Sequence, residues 1–529
     1  MAGSSGVSES GSAGPVARPT AAERLLERVG FGADPRGDAR LGHRLVIGVL
    51  ALYLVSFALH YPSLATNVDE AAYLHQARLI LEGRSSVVQV DPFTGEERAV
   101  EPSTYAPGTA LLMAPLVALF GFRGAYLVPL LGLVLAMGVT ARWLDDEGRQ
   151  PLFALVLPAF VPSLVMARVA MSDVPSLGVV ALGLWLFWRG LDRGAGWWLA
   201  SGYVAGASAA FRVSNPLLFV PLFAGTVLRR ERRCLALVAG GVLGLASRAL
   251  AMRWYFGEAL FERDVYPLDL WGIPDRLPYY LLGLLVLIPG GLALATCYRG
   301  RRRPEVVATL LCFVSFFLFQ EYSTSTTSVG KRVILSLRYL IPVTPLLAFA
   351  MAESAPRLWR LWLRRGSGRA RRLAGVAATA VLLGVAGVGI AAAAVHPLFG
   401  SWERTQVEIR DAITRSVPDD AVLVTNWDAT RKFVREVDRK FLEVQRHEVE
   451  PEDVSTLVDR HGTVFIALLD RSDSEYWLRN SEQNQRFVDA LRVPAELLVD
   501  LQANASDRLR IWRAGAGPSS AAPTPPAGS

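Results

Sequence analysis

The stretch that decides the fold is Asn67-Val-Asp-Glu-Ala-Ala-Tyr-Leu-His-Gln-Ala-Arg-Leu-Ile-Leu-Glu-Gly83, which follows directly on a long apolar segment. It predicts a helix with both ends marked. Asn67 suits the N-cap, Glu70 can close a capping box with it, and Gly83 suits the left-handed position past the C-terminus. Asp69 and Tyr73 lie four residues apart, so they share one face and can point at one site. Acids in a first turn also complement the helix dipole, which leaves a purely structural role open.

Composition places this helix beside a membrane. The chain has 529 residues, 52% of them hydrophobic, and its mean hydropathy is +0.30. Apolar residues come in blocks of about 17–25, the length that crosses a bilayer. The net charge of +7 could suit nucleic acid, but most arginines lie in short loops between apolar blocks, and that pattern marks the cytoplasmic side instead. The sequence therefore predicts a mainly α-helical, multi-pass protein of a bacterial inner membrane, with membrane lipids around it and no nucleic-acid partner.

Eleven apolar segments are predicted to cross the membrane. They lie near residues 45–60, 125–143, 151–166, 175–189, 197–211, 213–228, 234–253, 278–298, 305–320, 338–353 and 373–395. Residues 110–120 are too short to span and fit an interfacial or re-entrant segment. With that assignment the basic loops and the N-terminus are cytoplasmic, and the C-terminal part lies outside.

The chain is predicted to have four parts. Residues 1–42 are rich in Gly, Ser and Ala and are predicted to be a disordered cytoplasmic tail without a cleavable signal peptide. Residues 43–395 form the membrane domain, in which 61–124 is the first outer loop with juxtamembrane helices. Residues 396–513 are predicted to be a small extracytoplasmic α/β domain, and 514–529 a loose tail. The predicted strands of that domain lie near 421–425, 464–469 and 495–501, and its helices near 429–438, 451–460 and 474–492.

Polar side chains collect at the predicted outer face. Asp173 stands between two apolar spans, where loop solubility requires no carboxylate, and an acid in such a place indicates a functional site. Arg212 stands at the junction of two apolar runs and needs an anionic partner. Most of the arginines could equally be solvated anchors at span ends. The candidate catalytic acids are Asp69, Glu70 and Asp173, and the candidate substrate-binding residues are Tyr73, Tyr105, Arg168, Arg212, Lys331 and Arg338.

Carboxylates and arginines at a lipid–water boundary suit one reaction class. A carboxylate deprotonates an acceptor hydroxyl or amine, the acceptor attacks an activated carbon, and cations stabilise a phosphate leaving group. No His/Cys cluster or metal-ligand spacing is visible, and the cysteines form no disulfide framework. The sequence thus predicts neither a cofactor nor a metal site, although a divalent ion stays possible.

Several segments resemble the membrane-embedded GT-C glycosyltransferases, which include the dolichyl-phosphate-mannose protein mannosyltransferases, their bacterial relatives and the lipid A aminoarabinose transferases. These segments are Asn67-Val-Asp-Glu-Ala-Ala-Tyr73, Tyr105-Ala-Pro-Gly-Thr-Ala-Leu-Leu-Met-Ala-Pro115, Met171-Ser-Asp-Val-Pro-Ser176, Gly202 with Phe211-Arg212, and Arg338-Tyr-Leu-Ile-Pro342. The resemblance covers roughly residues 45–350. It implies transfer of a hexose or pentose, usually with inversion, from a polyprenyl-phosphate donor to an acceptor outside the membrane. Asp69 would then be the base and Asp173 a second acid of the site.

The acceptor stays open, as do two other classes of protein. The C-terminal domain and the N-terminal tail match no motif, so the acceptor could be a lipid, a glycan or a protein. A transporter or flippase could use intramembrane charges, but these should lie in mid-span and here they lie at the outer ends. A non-catalytic protein of envelope assembly is possible if the acids serve only as caps.

Overall fold

The structure is a computed structural model. It describes residues 19–32, 34–65, 68–85, 87–100, 105–257, 270–287, 291–319, 336–363, 369–426, 441–472 and 475–515. The predicted cap Asn67, the predicted substrate residue Lys331 and the predicted helix 429–438 lie outside these ranges.

The membrane part is built from helices. They are α1 (Ala21–Arg28), α2 (Ala39–Leu59), α3 (Val68–Leu81), α4 (Gly108–Phe120), α5 (Leu127–Asp146), α6 (Val156–Ala159), α7 (Val161–Met166), α8 (Asp173–Arg193), α9 (Ala195–Ala207), α10 (Val220–Leu228), α11 (Cys234–Phe256), α12 (Ile273–Leu287), α13 (Gly291–Thr296), α14 (Arg303–Phe319), α15 (Thr344–Leu363) and α16 (Arg369–Ser416). Short 3₁₀ segments lie at Phe122–Tyr126, Pro151–Leu155, Ser208–Ala210, Asn215–Leu218 and Arg338–Val343.

Five helical segments of the described chain are long and apolar enough to cross a membrane. They are Ala39–Leu59, Phe122–Asp146, Asp173–Arg193, Cys234–Tyr255 and Ala374–Ser416. The prediction of a polytopic, mainly helical protein is thereby confirmed, whereas the count of eleven spans stays a prediction. The predicted span 151–166 is a 3₁₀ turn followed by α6 and α7, because Pro158 and Pro162 interrupt the helical hydrogen bonds. Helix α4 has 13 residues, too few to span.

Residues 21–28, which the sequence placed in a disordered tail, form a helix. Thr20 and Glu23 close a capping box at its start, so the signal that begins this helix lies within four consecutive residues. Leu26 and Val29 are buried against the rest of the protein. The tail prediction is therefore wrong for this segment, since a short amphipathic stretch folds when its apolar face finds a packing surface.

The basic loops lie at one end of the bundle, where ion pairs connect them. Arg36 pairs with Asp145 at 2.8 Å, and Arg301 with Asp192 at 2.7 Å. Arg302 pairs with Glu231 and joins a third loop to the same end. The opposite end carries Asp173, the first residue of α8. Basic loops that share one end fit the predicted topology, and the cytoplasmic orientation of that end stays a prediction.

The C-terminal part contains a five-stranded sheet. Its strands are β3 (Val422–Thr425), β4 (Phe441–Glu443), β5 (Thr463–Arg471), β6 (Ala495–Gln502) and β7 (Asp507–Gly515), in the order β4-β3-β5-β7-β6. Strands β3, β4 and β5 run parallel, and β7 is antiparallel to β5 and β6. Helices α17 (Asp453–His461) and α18 (Glu475–Asp489) complete the described part. The small C-terminal α/β sheet is thus present, with β4 and β7 in addition to the predicted strands.

Helix α16 connects the membrane part to this sheet. It has 48 residues and passes the boundary predicted at 395–396 without a break. Composition turns polar there, but polar residues continue a helix as well as apolar ones do, and Pro397 lies inside it. Ile409 and Ile413 near its end pack with Leu423 of β3 in one buried cluster. The sheet therefore packs directly on the C-terminal end of the helix that contains the last predicted span.

A hairpin in the predicted first outer loop contacts the C-terminal sheet domain. Strands β1 (Val87–Val90) and β2 (Glu97–Val100) pair antiparallel. Phe93 in the turn packs against the domain core, and Nη2 of Arg460 donates to the Thr94 carbonyl at 2.7 Å. Nε2 of His461 lies 2.7 Å from the carbonyl oxygen of Pro92. The hairpin turn is thus tied directly to the C-terminal domain.

Candidate active site

Asp69 lies in the first turn of α3, and two side chains from distant parts of the chain hold its carboxylate. Oη of Tyr105 donates to Oδ1 at 2.5 Å, and Nη2 of Arg338 donates to Oδ2 at 3.4 Å. The Asp69 side chain is 33% exposed. The carboxylate is therefore oriented by two donors and still open to a reactant.

Asp173 lies at the start of α8 and is 2% exposed. Nη1 of Arg212 donates to its Oδ1 at 2.5 Å. Arg212 follows the 3₁₀ turn after α9, at the junction where the sequence indicated that it needs an anionic partner. The structure confirms that need and supplies Asp173 as the partner.

Tyr339 links the two ion pairs. The guanidinium carbons of Arg212 and Arg338 lie 4.6 Å and 5.1 Å from the centroid of its ring, within the range of cation–π attraction. Nη2 of Arg338 also donates to Oη of Tyr339 at 2.9 Å. We call Asp69, Asp173, Arg212, Arg338 and Tyr339 the acid–arginine cluster. Sequence reasoning missed Tyr339, although it stands next to Arg338 in the Arg-Tyr-x-x-Pro element.

Tyr73 and Tyr105 support Asp69 from one side. Their rings are stacked, with centroids 4.9 Å apart. Tyr105 thus contacts both Asp69 and Tyr73, which confirms that these two residues of α3 share a face. Burial raises the pKa of Tyr73, which hydrogen-bonds with Ser172. Its phenol therefore stays protonated at neutral pH and does not serve as a base.

Glu70 is 1% exposed, and its Oε1 accepts a hydrogen bond from the backbone N–H of Ala170 at 2.8 Å. This bond ties α3 to the segment just ahead of Asp173. Met171 of the same segment lies 3.9 Å from Nη1 of Arg338. The short segment before α8 is therefore connected both to α3 and to Arg338.

Arg168 belongs to a second polar cluster instead. It is 3% exposed, forms an ion pair with Glu403 of α16, and donates to the His60 carbonyl at 2.6 Å. Nδ1 of His396 lies 3.1 Å from its Nη1. The sequence expected Arg168 to bind substrate, but these contacts enclose it. Its partner Glu403 could not be found from sequence, because no pattern relates residues so far apart.

Within the described ranges, no group of three or more His, Cys, Asp or Glu side chains could hold a metal ion. The carboxylates of the cluster can transfer protons, and its guanidinium groups can bind an anion.

No protein-family model matches the chain, and no curated protein matches it significantly. Among solved structures, it is similar to ArnT from Cupriavidus metallidurans bound to undecaprenyl phosphate, with a TM-score of 0.58 and 15% identity over 89% of this chain and 97% of that one. The apo structure of the same protein gives 0.56 and 16% over the same shares. ArnT is a lipid A aminoarabinose transferase. The present chain therefore has the GT-C fold, as the sequence resemblance predicted.

Proposed function

We propose that the protein is a membrane glycosyltransferase that moves a sugar from a polyprenyl-phosphate donor to an acceptor outside the cytoplasm. The observation that carries this proposal is the acid–arginine cluster, in which two carboxylates each pair with a guanidinium group and both guanidinium groups lie over one tyrosine ring. The GT-C fold and the undecaprenyl phosphate bound to ArnT support a polyprenyl-phosphate donor. The N-terminus would lie in the cytoplasm and the C-terminal domain outside the inner membrane.

Asp69 is the proposed general base. Its carboxylate takes the proton of the acceptor hydroxyl or amine, and the acceptor atom forms a bond to the anomeric carbon of the sugar. The bond from that carbon to the phosphate oxygen breaks, and its electron pair leaves with the polyprenyl phosphate. Attack from the face opposite the leaving group inverts the anomeric centre. Asp69 suits this step better than Asp173, because Asp69 is 33% exposed and Asp173 is 2% exposed.

Arg212 and Arg338 are the proposed ligands of the leaving phosphate. A guanidinium offers paired donors that fit phosphate oxygens, and the negative charge on those oxygens grows as the bond breaks. Asp173 orients Arg212 as the second acid of the site. Lys331, outside the described ranges, is proposed to assist.

Four of the predicted site residues receive positioning roles. Tyr105 orients Asp69 through its 2.5 Å hydrogen bond, and Tyr73 supports Tyr105 through the ring stack. Glu70 holds the backbone at Ala170. Arg168, enclosed by Glu403, His60 and His396, is assigned to holding the segment before Asp173 rather than to substrate.

The experiment that tests the function uses purified protein and polyprenyl phosphates that carry different sugars. Release of free polyprenyl phosphate, dependent on an envelope extract as acceptor source, is expected for at least one sugar. Mass spectrometry of envelope glycans, lipids and proteins with and without this protein then identifies the acceptor. Movement of the intact donor across a vesicle membrane without release of its phosphate would instead identify a flippase.

A further inference from the structure

A second polar site lies at the other end of α8. A cavity of about 220 Å³ opens between the C-terminal ends of α5 and α8, lined by three tryptophans, three acids and two arginines. The lining residues of α8 begin at Trp185 and end at Arg193, so roughly 20–30 Å separate this cavity from Asp173. The acid–arginine cluster therefore cannot explain it.

Internal pairing accounts for most of the charges that line the cavity. Arg189 pairs with Asp146 at 3.2 Å, and Asp192 pairs with Arg301 at 2.7 Å. Across the described ranges, Glu147 and Arg193 make neither an ion pair nor a side-chain hydrogen bond. Burial and the nearby charge of Asp192 raise the pKa of Glu147, and the charges of Arg301 and Arg149 oppose this shift. One half-buried carboxyl group and one exposed guanidinium group thus line the cavity without an ion pair or a side-chain hydrogen bond in the described ranges.

Two buried indole groups point to a ligand as well. Trp143 and Trp188 line the cavity and are 0% and 1% exposed. Neither Nε1–H finds an acceptor in the part of the chain that the structure describes. Buried indole groups usually donate a hydrogen bond. Trp143 stacks on Phe349 with centroids 4.3 Å apart, and this packing keeps its ring in place.

We propose that this cavity binds an ammonium–phosphate zwitterion of the kind carried by phosphatidylethanolamine. Glu147 would bind the ammonium group, while Arg193 and the indole N–H groups would bind phosphate oxygens. A carboxyl group and a guanidinium group that line one cavity, together with neutral donors, complement the two charges of such a molecule. The cavity lies at the ends of two candidate spans, the depth at which lipid headgroups lie and at which tryptophan and arginine are enriched.

The experiment compares three lipids on full-length protein in detergent. Native mass spectrometry measures the binding of phosphatidylethanolamine, phosphatidylglycerol, which lacks the ammonium group, and phosphatidylcholine, in which that group cannot donate hydrogen bonds. We expect wild type to prefer phosphatidylethanolamine by about tenfold or more, the value of one charge-assisted hydrogen bond. Glu147→Gln should abolish the preference, and Trp188→Phe should weaken both phosphatidylethanolamine and phosphatidylglycerol.

Matched controls keep the test interpretable. Glu27→Gln removes an exposed acid from α1, and Trp362→Phe removes an exposed indole group; both should bind lipid as wild type does. A melting temperature equal to that of wild type identifies variants that have folded. If a folded Glu147→Gln variant keeps the preference, or wild type shows none, the proposal is overturned. Binding of soluble phosphoethanolamine but of none of the lipids would support a zwitterionic ligand and contradict a membrane lipid as its source. None of these readouts depends on sugar transfer.

Discussion

The guanidinium of Arg168 and the carboxylate of Glu403 form a buried ion pair that joins the segment ahead of Asp173 to helix α16. Arg168 is 3% exposed and Glu403 is 6% exposed. Ser63, just past the first span, donates to the same carboxylate at 2.7 Å. Since α16 also packs against the C-terminal sheet, this pair connects the C-terminal domain to the segment just ahead of Asp173.

Glu403→Gln should destabilise the protein strongly, because it leaves the Arg168 charge buried without its partner. Breaking a buried pair in this way costs about 3–5 kcal/mol. The control is Asp411→Asn on the same helix, whose partner Arg410 lies at 2.8 Å in an exposed pair worth about 0–1 kcal/mol. Thermal unfolding in detergent measures both variants. Equal melting temperatures for the two would remove the proposed role of the buried pair.

Tyr105→Phe should slow transfer while leaving donor binding intact. The change removes the donor to Asp69 and keeps the ring that stacks on Tyr73. A hydrogen bond to a charged group contributes about 1.5–3 kcal/mol, which corresponds to a roughly ten- to hundredfold lower kcat. Tyr61→Phe is the control, since that hydroxyl donates at 2.5 Å to the Arg123 carbonyl, away from the cluster. A fall in donor affinity with unchanged kcat would speak against positioning of Asp69.

Arg212→Lys and Arg338→Lys should each weaken donor binding although the charge remains. Lysine lacks the paired, planar donors of arginine. The expected loss is about tenfold or more in donor Kd, the value of one charge-assisted hydrogen bond. Arg123→Lys is the control, because its guanidinium carbon lies 5.4 Å from the Tyr61 ring in a similar contact outside the cluster. Wild-type donor affinity in both cluster variants would reduce Arg212 and Arg338 to structural anchors.

His461→Ala should loosen the β1–β2 hairpin and change acceptor use. The histidine ring lies 2.7 Å from the Pro92 carbonyl, so its removal frees the turn from the C-terminal domain. Hydrogen exchange in residues 87–100 should rise, and acceptor turnover should fall while donor binding is kept. His447→Ala removes an exposed histidine of the same domain and is the control. Loss of donor binding in His461→Ala would contradict this expectation, because the domain would then contribute to the donor site.

Local signals in the sequence predicted the parts of the site that local physics determines. Gly83 does adopt a positive φ, +65°, just past α3. Asp69 and Tyr73 do meet the same tyrosine. Arg212 does have a carboxylate partner, because an isolated guanidinium between apolar runs requires one.

Contacts between distant segments could not be predicted in the same way. The partner of Arg168 lies 235 residues away in a helix that was expected to start a soluble domain. The hairpin turn at Phe93 gives no sign of the surface on which it packs. Both depend on tertiary packing, which leaves no periodicity in the local sequence.

Asp69→Asn tests the proposed general base most directly. Asparagine keeps an oxygen that can accept the Tyr105 hydrogen bond but cannot take the acceptor proton. Single-turnover transfer and donor binding are measured on the same preparation of the variant. The rate should fall by about 10²–10⁴, with donor affinity and melting temperature unchanged. A rate within a few-fold of wild type would show that Asp69 only starts a helix and that the proton goes elsewhere.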